Sequence, residues 1–371
     1  MFRGWIYCYL WYTSIFAGYA LLYCPIVPLL FVSNKLYRYA TDVLFTFWQF
    51  YPTALLEFLC GCTIQVSGDP IVAGEMSLIV MNHRTRTDWN FLWPTVYHCV
   101  QGPGRFMHST KFVLKEVIRH IPGPGWVMQL ACFVYIRRNW RDDLKTFTKY
   151  LTYISDLGYK FSLILFPEGT DFTPTTKGNS DRFAEKNGLV KYDYVLHPRT
   201  TGFTYIASQL LKTRSLDAVY DVTIIYPDSV PQNEKMLFNG VFPKQVYVHF
   251  VRYSSSVLPN DEADLKEFLE KRWSDKERTI KEFKMTGQFL HGQILRNNNK
   301  WELYFALVFW TLLPYLALTL FILVPHFRDL VIYHSLAMVL VNFIADGFQM
   351  FEIALYNMKK CLYRHGDSQH L

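Results

Sequence analysis

Charge is scarce in this chain. Only 19% of its 371 residues are Asp, Glu, Lys or Arg, against about 25% in an average soluble domain. No Gly-x-Ser-x-Gly stretch occurs, so the strained serine elbow of the α/β-hydrolases is missing. No Asn-x-Ser/Thr glycosylation site occurs either. The seven cysteines, at 8, 24, 60, 62, 99, 132 and 361, are odd in number and scattered through apolar runs. That does not read as a disulfide framework, and Cys60-Gly-Cys62 lacks the two-residue gap of most zinc or redox pairs. Both facts fit a catalytic region facing the cytosol. No His/Cys cluster has zinc spacing, so no metal is expected. Internal repeats, low-complexity tracts and basic clusters with a nucleic-acid-binding motif are all missing, which argues against DNA or RNA as a partner.

What fills the chain instead is apolar and aromatic: 51% hydrophobic residues, 18% of the total Phe, Trp or Tyr. Such a composition suits a bilayer interface, where an amphipathic ring sits half wet. The net charge of +7 suits anionic headgroups or phosphorylated co-substrates. Residues 4–32 carry no charge and exceed the ~20 residues needed to cross the hydrocarbon core. With no small-residue cleavage site they predict an uncleaved membrane helix, ended or kinked at Pro25 and Pro28. The shorter aromatic run 43–56 predicts an interfacial or re-entrant segment. Residues 303–325 are long enough to span, and 330–345 form a further apolar run that spans or returns as a hairpin.

Between these ends the pattern changes. The runs "SLIVMN", "CFVYIRR", "FSLILFPEG", "AVYDVTIIYP" and "QVYVHFVRY" are strand length and rich in β-branched or aromatic residues. Helical patterns lie among them, at 141–157 and at 260–284. The second has Asn260 or Asp261 as cap and Leu265, Phe268, Leu269 and Trp273 on one face. The expected fold is α/β, a mixed sheet flanked by helices, with N- and C-terminal transmembrane helices. The expected division is a membrane anchor and interfacial segment over 1–62, a catalytic domain over 63–290, and a linker with membrane segments over 291–371.

Three clusters carry chemistry. In "MNHRTRTDWNFLW" (81–93), His83 leaves the end of a predicted strand and Asp88 opens a predicted helix. The gap of five lets the Asp88 carboxylate accept from one imidazole nitrogen, leaving the other as a base. A base without a protein nucleophile must activate a substrate hydroxyl or a water. The same residues could instead form only a polar helix cap. In "FPEGTD" (166–171), Gly169 permits close backbone approach and Thr170 adds a hydroxyl, which suits an anion; Glu168 is out of place beside a phosphate unless it orients a donor. Around the rigid "IPGPGW", Lys115 and Arg137 are cations able to pair with phosphate, or else solvated surface charges.

Taken together, Asn82-His83-x4-Asp88, then Lys115-x2-Ile118-x3-Pro122 with Gly125 and Arg137, then 166–170, resemble the first three motifs of the glycerolipid acyltransferase family. That family includes the 1-acylglycerol-3-phosphate acyltransferases. The resemblance covers about residues 65–255. "NHRTRTDWNFLW" and "FAEKNGLVKYDYVLHPRTTGF" look most like its lysocardiolipin acyltransferase subgroup, with Pro198 matching the proline of the fourth motif. The resemblance implies a membrane enzyme, of the endoplasmic reticulum, that moves an acyl group from acyl-CoA, as co-substrate and without a cofactor, to a lysophospholipid. His83 and Asp88 would be catalytic, and Lys115, Arg137, Glu168, Gly169 and Thr170 would bind substrate. Asp171 departs from the pattern, since phosphatidate-forming members often carry Arg or Ser there. It weakens the case for lysophosphatidic acid as the main acceptor. A membrane lipid hydrolase using the same His/Asp pair, or a non-catalytic lipid-binding protein, are the alternatives.

Overall fold

In a computed structural model, which describes residues 2–228 and 230–367, ten strands occur. They are β1 (Thr63–Gly68), β2 (Ile71–Val72), β3 (Ser77–Met81), β4 (Val100–Gln101), β5 (Thr110–Lys115), β6 (Val134–Ile136), β7 (Ser162–Leu165), β8 (Ala218–Ile225), β9 (Gln245–Ser254) and β10 (Ile294–Leu295). The chain divides into two interleaved units. The first comprises residues 1–11, 47–110 and 160–308; the second comprises 12–46, 111–159 and 309–371. The last four residues of the expected C-terminal region, 368–371, lie outside the described residues.

The first unit holds strands in the order β10-β1-β9-β8-β3-β7. Strand β3 runs parallel to both β7 and β8, and β9 runs antiparallel to β8. The sheet is mixed, as the sequence predicts. Every residue of β3, β7 and β8 is buried, which is why these strands read as continuous apolar runs rather than alternating ones. Strand β1 alternates instead, with Ile64 and Val66 buried and Gln65 and Ser67 only partly so.

The helix Glu262–Thr286 starts where Asp261 accepts from Ala263 N–H at 3.1 Å, and ends at Gly287 with φ +76°. Leu265, Leu269, Trp273, Ile280 and Phe283 fall on one face, three, four or seven residues apart, and are buried. Each such side chain contributes roughly 1.5–3 kcal/mol by leaving water. Lys276 lies on the same buried face. Its ammonium pairs with Asp221 and donates to the Val222 carbonyl at 2.7 Å. Burial pulls the Lys276 pKa down, and the Asp221 carboxylate opposes that pull.

The second unit contains the parallel pair β5–β6 and the helix Trp140–Leu157, capped by Asn139. Its interior holds buried ion pairs: Lys111 with Asp42 at 3.0 Å, and Arg38 with Glu352 at 2.8 Å. Residues 43–56, expected to form an interfacial or re-entrant segment, belong to the helix Asn34–Ala54 and the π-turn Leu55–Leu59; Phe45, Tyr51, Ala54 and Leu56 there are buried. Three segments among the described residues are long and apolar enough to cross a membrane: Phe2–Val32, Trp301–Leu323 and Pro325–Ile344.

Candidate active site

The parallel register of β7, β3 and β8 brings their carboxyl ends side by side: Val80 pairs with Leu165 on one flank and with Asp221 on the other. Ligands of open α/β sheets bind at such an edge. The chain that leaves β3 there begins with Asn82 and His83, the chain leaving β7 begins with Phe166, and the chain leaving β8 begins with Tyr226.

His83 is set by three contacts of its own and by the anchoring of its neighbour. Its ring stacks on Phe166, with centroids 4.3 Å apart and planes 30° from parallel. Its carbonyl accepts from Phe172 N–H at 2.9 Å, which ties the 166–172 turn to β3. Its Nδ1 lies 2.9 Å from Asp88 Oδ2. The neighbouring Asn82 binds β8 through its side-chain amide. An ionised carboxylate can only accept, so Nδ1 carries the proton and Nε2 keeps its lone pair. No described serine or cysteine is hydrogen-bonded to this ring, which remains partly exposed at 19% of its side-chain surface.

Asp88 opens the helix Asp88–Cys99 and is wholly buried. Besides the imidazole, Oδ2 accepts from Thr85 N–H at 3.1 Å, and Oδ1 accepts from the Tyr226 hydroxyl at 2.7 Å. Thr87 donates to the Pro231 carbonyl at 2.8 Å, and Thr85 donates to the same oxygen. The five-residue gap is therefore spanned by a turn pinned at both ends.

The second cluster follows β7. Gly169 takes φ +71°, a conformation other residues adopt only at a cost, and its N–H closes a turn on the Phe166 carbonyl at 2.9 Å. Thr170 Oγ1 donates to Asp171 at 3.4 Å. Glu168 points inward and is 3% exposed; Trp273 Nε1 donates to its Oε1 at 3.3 Å. Burial pushes the Glu168 carboxyl well above the ordinary range, offset in part by Trp273 and by the backbone N–H groups of His83 and Leu196. This resolves why an acidic residue sits in the turn: it faces the protein interior. Two cations flank the turn. Arg84 donates to the Phe172 carbonyl at 3.2 Å, and the exposed Arg199 lies beside Gly169, where a Cβ would stand 3.3 Å from its Cδ.

His83, Asp88, Glu168, Gly169 and Thr170 thus gather in the first unit. Lys115 and Arg137 belong to the second, Lys115 exposed at the end of β5 and Arg137 directly after β6. The Arg137 guanidinium donates to Glu116 at 3.0 Å and to Asp346 at 2.6 Å. Those two carboxylates raise its pKa, the Glu116 hydrogen bond most. Arg137 also lines a cleft of about 250 Å³ with Arg119, Tyr135, Lys145 and Lys149. Among the described residues no three His, Cys, Asp or Glu side chains converge as a metal site would require.

Tyr226 and Trp273 escaped the sequence reading. Tyr226 looked like the last residue of the apolar run "AVYDVTIIYP", and Trp273 like part of a helix face. Their polar atoms, not their rings, reach the site. The only available signal was that a buried Tyr or Trp ordinarily finds a partner for its O–H or N–H.

Residues 63–227 match the family model described as Acyltransferase, and residues 236–310 the model described as Acyltransferase C-terminus. Lysocardiolipin acyltransferase 1 of Gallus gallus is 38% identical, covering 96% of this chain and 96% of that protein. Lysophosphatidylinositol acyltransferase 10 of Caenorhabditis elegans is 34% identical over 83% of this chain and 82% of that one. The crystal structure of the 1-acyl-sn-glycerophosphate acyltransferase PlsC from Thermotoga maritima superposes with a TM-score of 0.46 at 15% identity, covering 78% of this chain and 100% of that chain.

Proposed function

Since the chain belongs to the acyltransferase family, we propose that it moves a fatty acyl group from acyl-CoA to the free glycerol hydroxyl of a lysophospholipid. The observation that carries this reading is the His83–Asp88 pair, whose imidazole has an available Nε2 and, among the described residues, is hydrogen-bonded to no serine or cysteine. His83 Nε2 takes the proton of the acceptor hydroxyl. The oxygen forms a bond to the thioester carbon, and the tetrahedral intermediate expels the CoA thiolate, which the His83 imidazolium protonates. The products are the diacyl phospholipid and free CoA, and His83 returns to its starting state. Backbone N–H groups of the turns beside His83 would stabilise the oxyanion, a contribution of ~3–4 kcal/mol per good donor.

In this reading Gly169 and Thr170 hold the acceptor's phosphate and Glu168 positions the backbone donors of the site, while Lys115 and Arg137, which belong to the second unit, are kept as substrate-binding cations. Relatives named for lysocardiolipin and lysophosphatidylinositol support an acceptor with a large anionic headgroup, and a plant relative is named a probable 1-acyl-sn-glycerol-3-phosphate acyltransferase. Asp171 favours the first two over lysophosphatidic acid, because a carboxylate repels the doubly charged phosphate monoester more than a diester. The three apolar segments support an integral membrane protein working at the bilayer, which we assign to the endoplasmic reticulum.

The test uses membranes containing the full chain, labelled acyl-CoA and a panel of lysophospholipids. Label should pass into diacyl phospholipid, most with lysocardiolipin or lysophosphatidylinositol. Label released only as free fatty acid would instead mark a hydrolase that activates water. Lipid binding without transfer, unchanged in His83→Ala, would mark a non-catalytic protein.

A further inference from the structure

Asp88 has two oxygens and three donors. Oδ2 takes His83 Nδ1–H and Thr85 N–H, at 2.9 Å and 3.1 Å, and Oδ1 takes the Tyr226 hydroxyl at 2.7 Å. Tyr226 directly follows β8, a different strand from the one that delivers His83. Its ring is fixed by an edge-on contact with Phe91 at 5.6 Å. The hydroxyl is therefore aimed at the carboxylate by packing that involves neither His83 nor Asp88.

We propose that Tyr226 is a positioning residue for the His83–Asp88 pair, holding Oδ1 so that Oδ2 faces the imidazole and restraining the carboxylate's hold on the proton. This rests on the reading of His83 as the general base. Without the hydroxyl, Asp88 Oδ1 is buried with no donor. The carboxylate can then turn about its bond to Cβ, and the negative charge that Tyr226 shared falls on the two donors that remain, the imidazole and Thr85 N–H. Both effects matter: the first loosens the aim of Nε2, and the second favours the imidazolium, which cannot act as a base. Burial and the neighbouring Asp88 charge hold the Tyr226 hydroxyl protonated, so it remains a donor at any working pH. The other charged or titratable groups facing this cluster are Arg84 and Cys62, near Tyr226, and Glu168, whose carboxyl is pushed well above its ordinary range by burial.

The decisive variant is Tyr226→Phe, which removes the oxygen and keeps the ring against Phe91. In the full chain, kcat should fall about tenfold, the scale of a misaligned base. The acid limb of the kcat/KM profile should move up by about half a unit to one unit, the effect of losing one hydrogen bond to a charged group. Phe91→Leu, which loosens the ring contact and keeps the hydroxyl, should lower the melting temperature and move the limb less than Tyr226→Phe does. A double-mutant cycle with Asp88→Asn should show the Tyr226 effect vanish once the carboxylate is gone. An acid limb that stays where the wild type has it in Tyr226→Phe overturns the proposal. So does an equal shift in Phe91→Leu. NMR titration of the His83 ring in detergent gives the same answer without turnover: its midpoint should rise in Tyr226→Phe. That measurement separates failure of this proposal from failure of the acyl-transfer reading, which would show as a wild type with no transfer to lipid.

Discussion

The Asn82 side-chain amide grips Ile224 from both sides: Nδ2 donates to the Ile224 carbonyl at 3.1 Å, and Oδ1 accepts from the Ile224 N–H at 2.9 Å. The amide continues the ladder between β3 and β8 one residue beyond the last paired strand residue, Met81. It thereby fixes where the chain leaves the sheet and His83 begins. Asn82→Ala would leave two buried backbone groups of β8 without partners and should cost about 2–4 kcal/mol. A melting temperature within a degree of wild type would contradict this role.

The pair at the centre makes a stronger claim. His83→Ala should reduce acyl transfer by about 10²–10⁴-fold with the fold intact. Asp88→Asn should be nearly as severe, because an amide at Oδ2 can donate to Nδ1 and put the imidazole proton on Nε2, the wrong nitrogen. Retention of more than about a tenth of wild-type activity in His83→Ala would remove it from the role of base, since that loss lies outside the usual range.

How much of this was legible depended on sequence distance. His83 and Asp88 are five residues apart, and the strand-turn-helix pattern around them can be read in one window. The buried strands β3, β7 and β8 were equally visible, because strands covered on both faces write themselves as unbroken apolar runs. Strand β5 did not show, because it contains Lys111 and Lys115. Lys111 is tolerated inside because Asp42, 69 residues earlier, and the Ala131 carbonyl pair with it, and no local pattern announces those partners. Tyr226 lies 138 residues from Asp88 and stayed hidden for the same reason. The aromatic run 43–56 was legible only as apolar, because wet-interface and protein-interior compositions overlap: Phe, Trp and Tyr serve both.

Glu168 gives a prediction in pH. Its folded-state pKa is raised by burial above the ordinary 4.5, so between 4.5 and that raised value the native protein holds a proton that the unfolded chain has released. The stability this contributes is fully present below 4.5 and is lost as pH rises through the folded value. The melting temperature should therefore fall from mildly acidic to alkaline pH. Glu168→Gln, which mimics the protonated carboxyl and still accepts from Trp273, should flatten that fall. A steeper fall in the variant, or parallel curves, would show that the Glu168 proton is not linked to folding.

Arg137 tests the substrate side. Its guanidinium is already held by Glu116 and Asp346, so it is oriented before any ligand arrives. If it pairs with the acceptor's phosphate, Arg137→Ala should raise KM for the lysophospholipid more than for acyl-CoA, by the equivalent of about 1.5–3 kcal/mol. An effect confined to acyl-CoA would move Arg137 to the donor's phosphates.

The last prediction concerns attachment. The two C-terminal segments bury only 17% and 11% of their most apolar windows within the protein, against 44% for Phe2–Val32. Their remaining apolar surface needs lipid, so they are the firmer anchor. The N-terminal segment also touches the catalytic region: Tyr7 donates to Asn90 on the helix that begins with Asp88, and a Cβ on Gly4 would collide with the Leu237 carbonyl at 2.3 Å. Deleting residues 1–33 should therefore leave the protein in the membrane pellet after alkaline carbonate, yet lower both activity and melting temperature. Gly4→Val should reproduce the second effect alone, because it forces the segment away from that backbone without shortening it. Removing Trp301–Leu323 and Pro325–Ile344 together should weaken retention more than the N-terminal deletion does. Recovery of the full-length protein in the carbonate supernatant would refute the spanning assignment for all three segments, since a transmembrane helix inserts in effect irreversibly whereas an interfacial one does not.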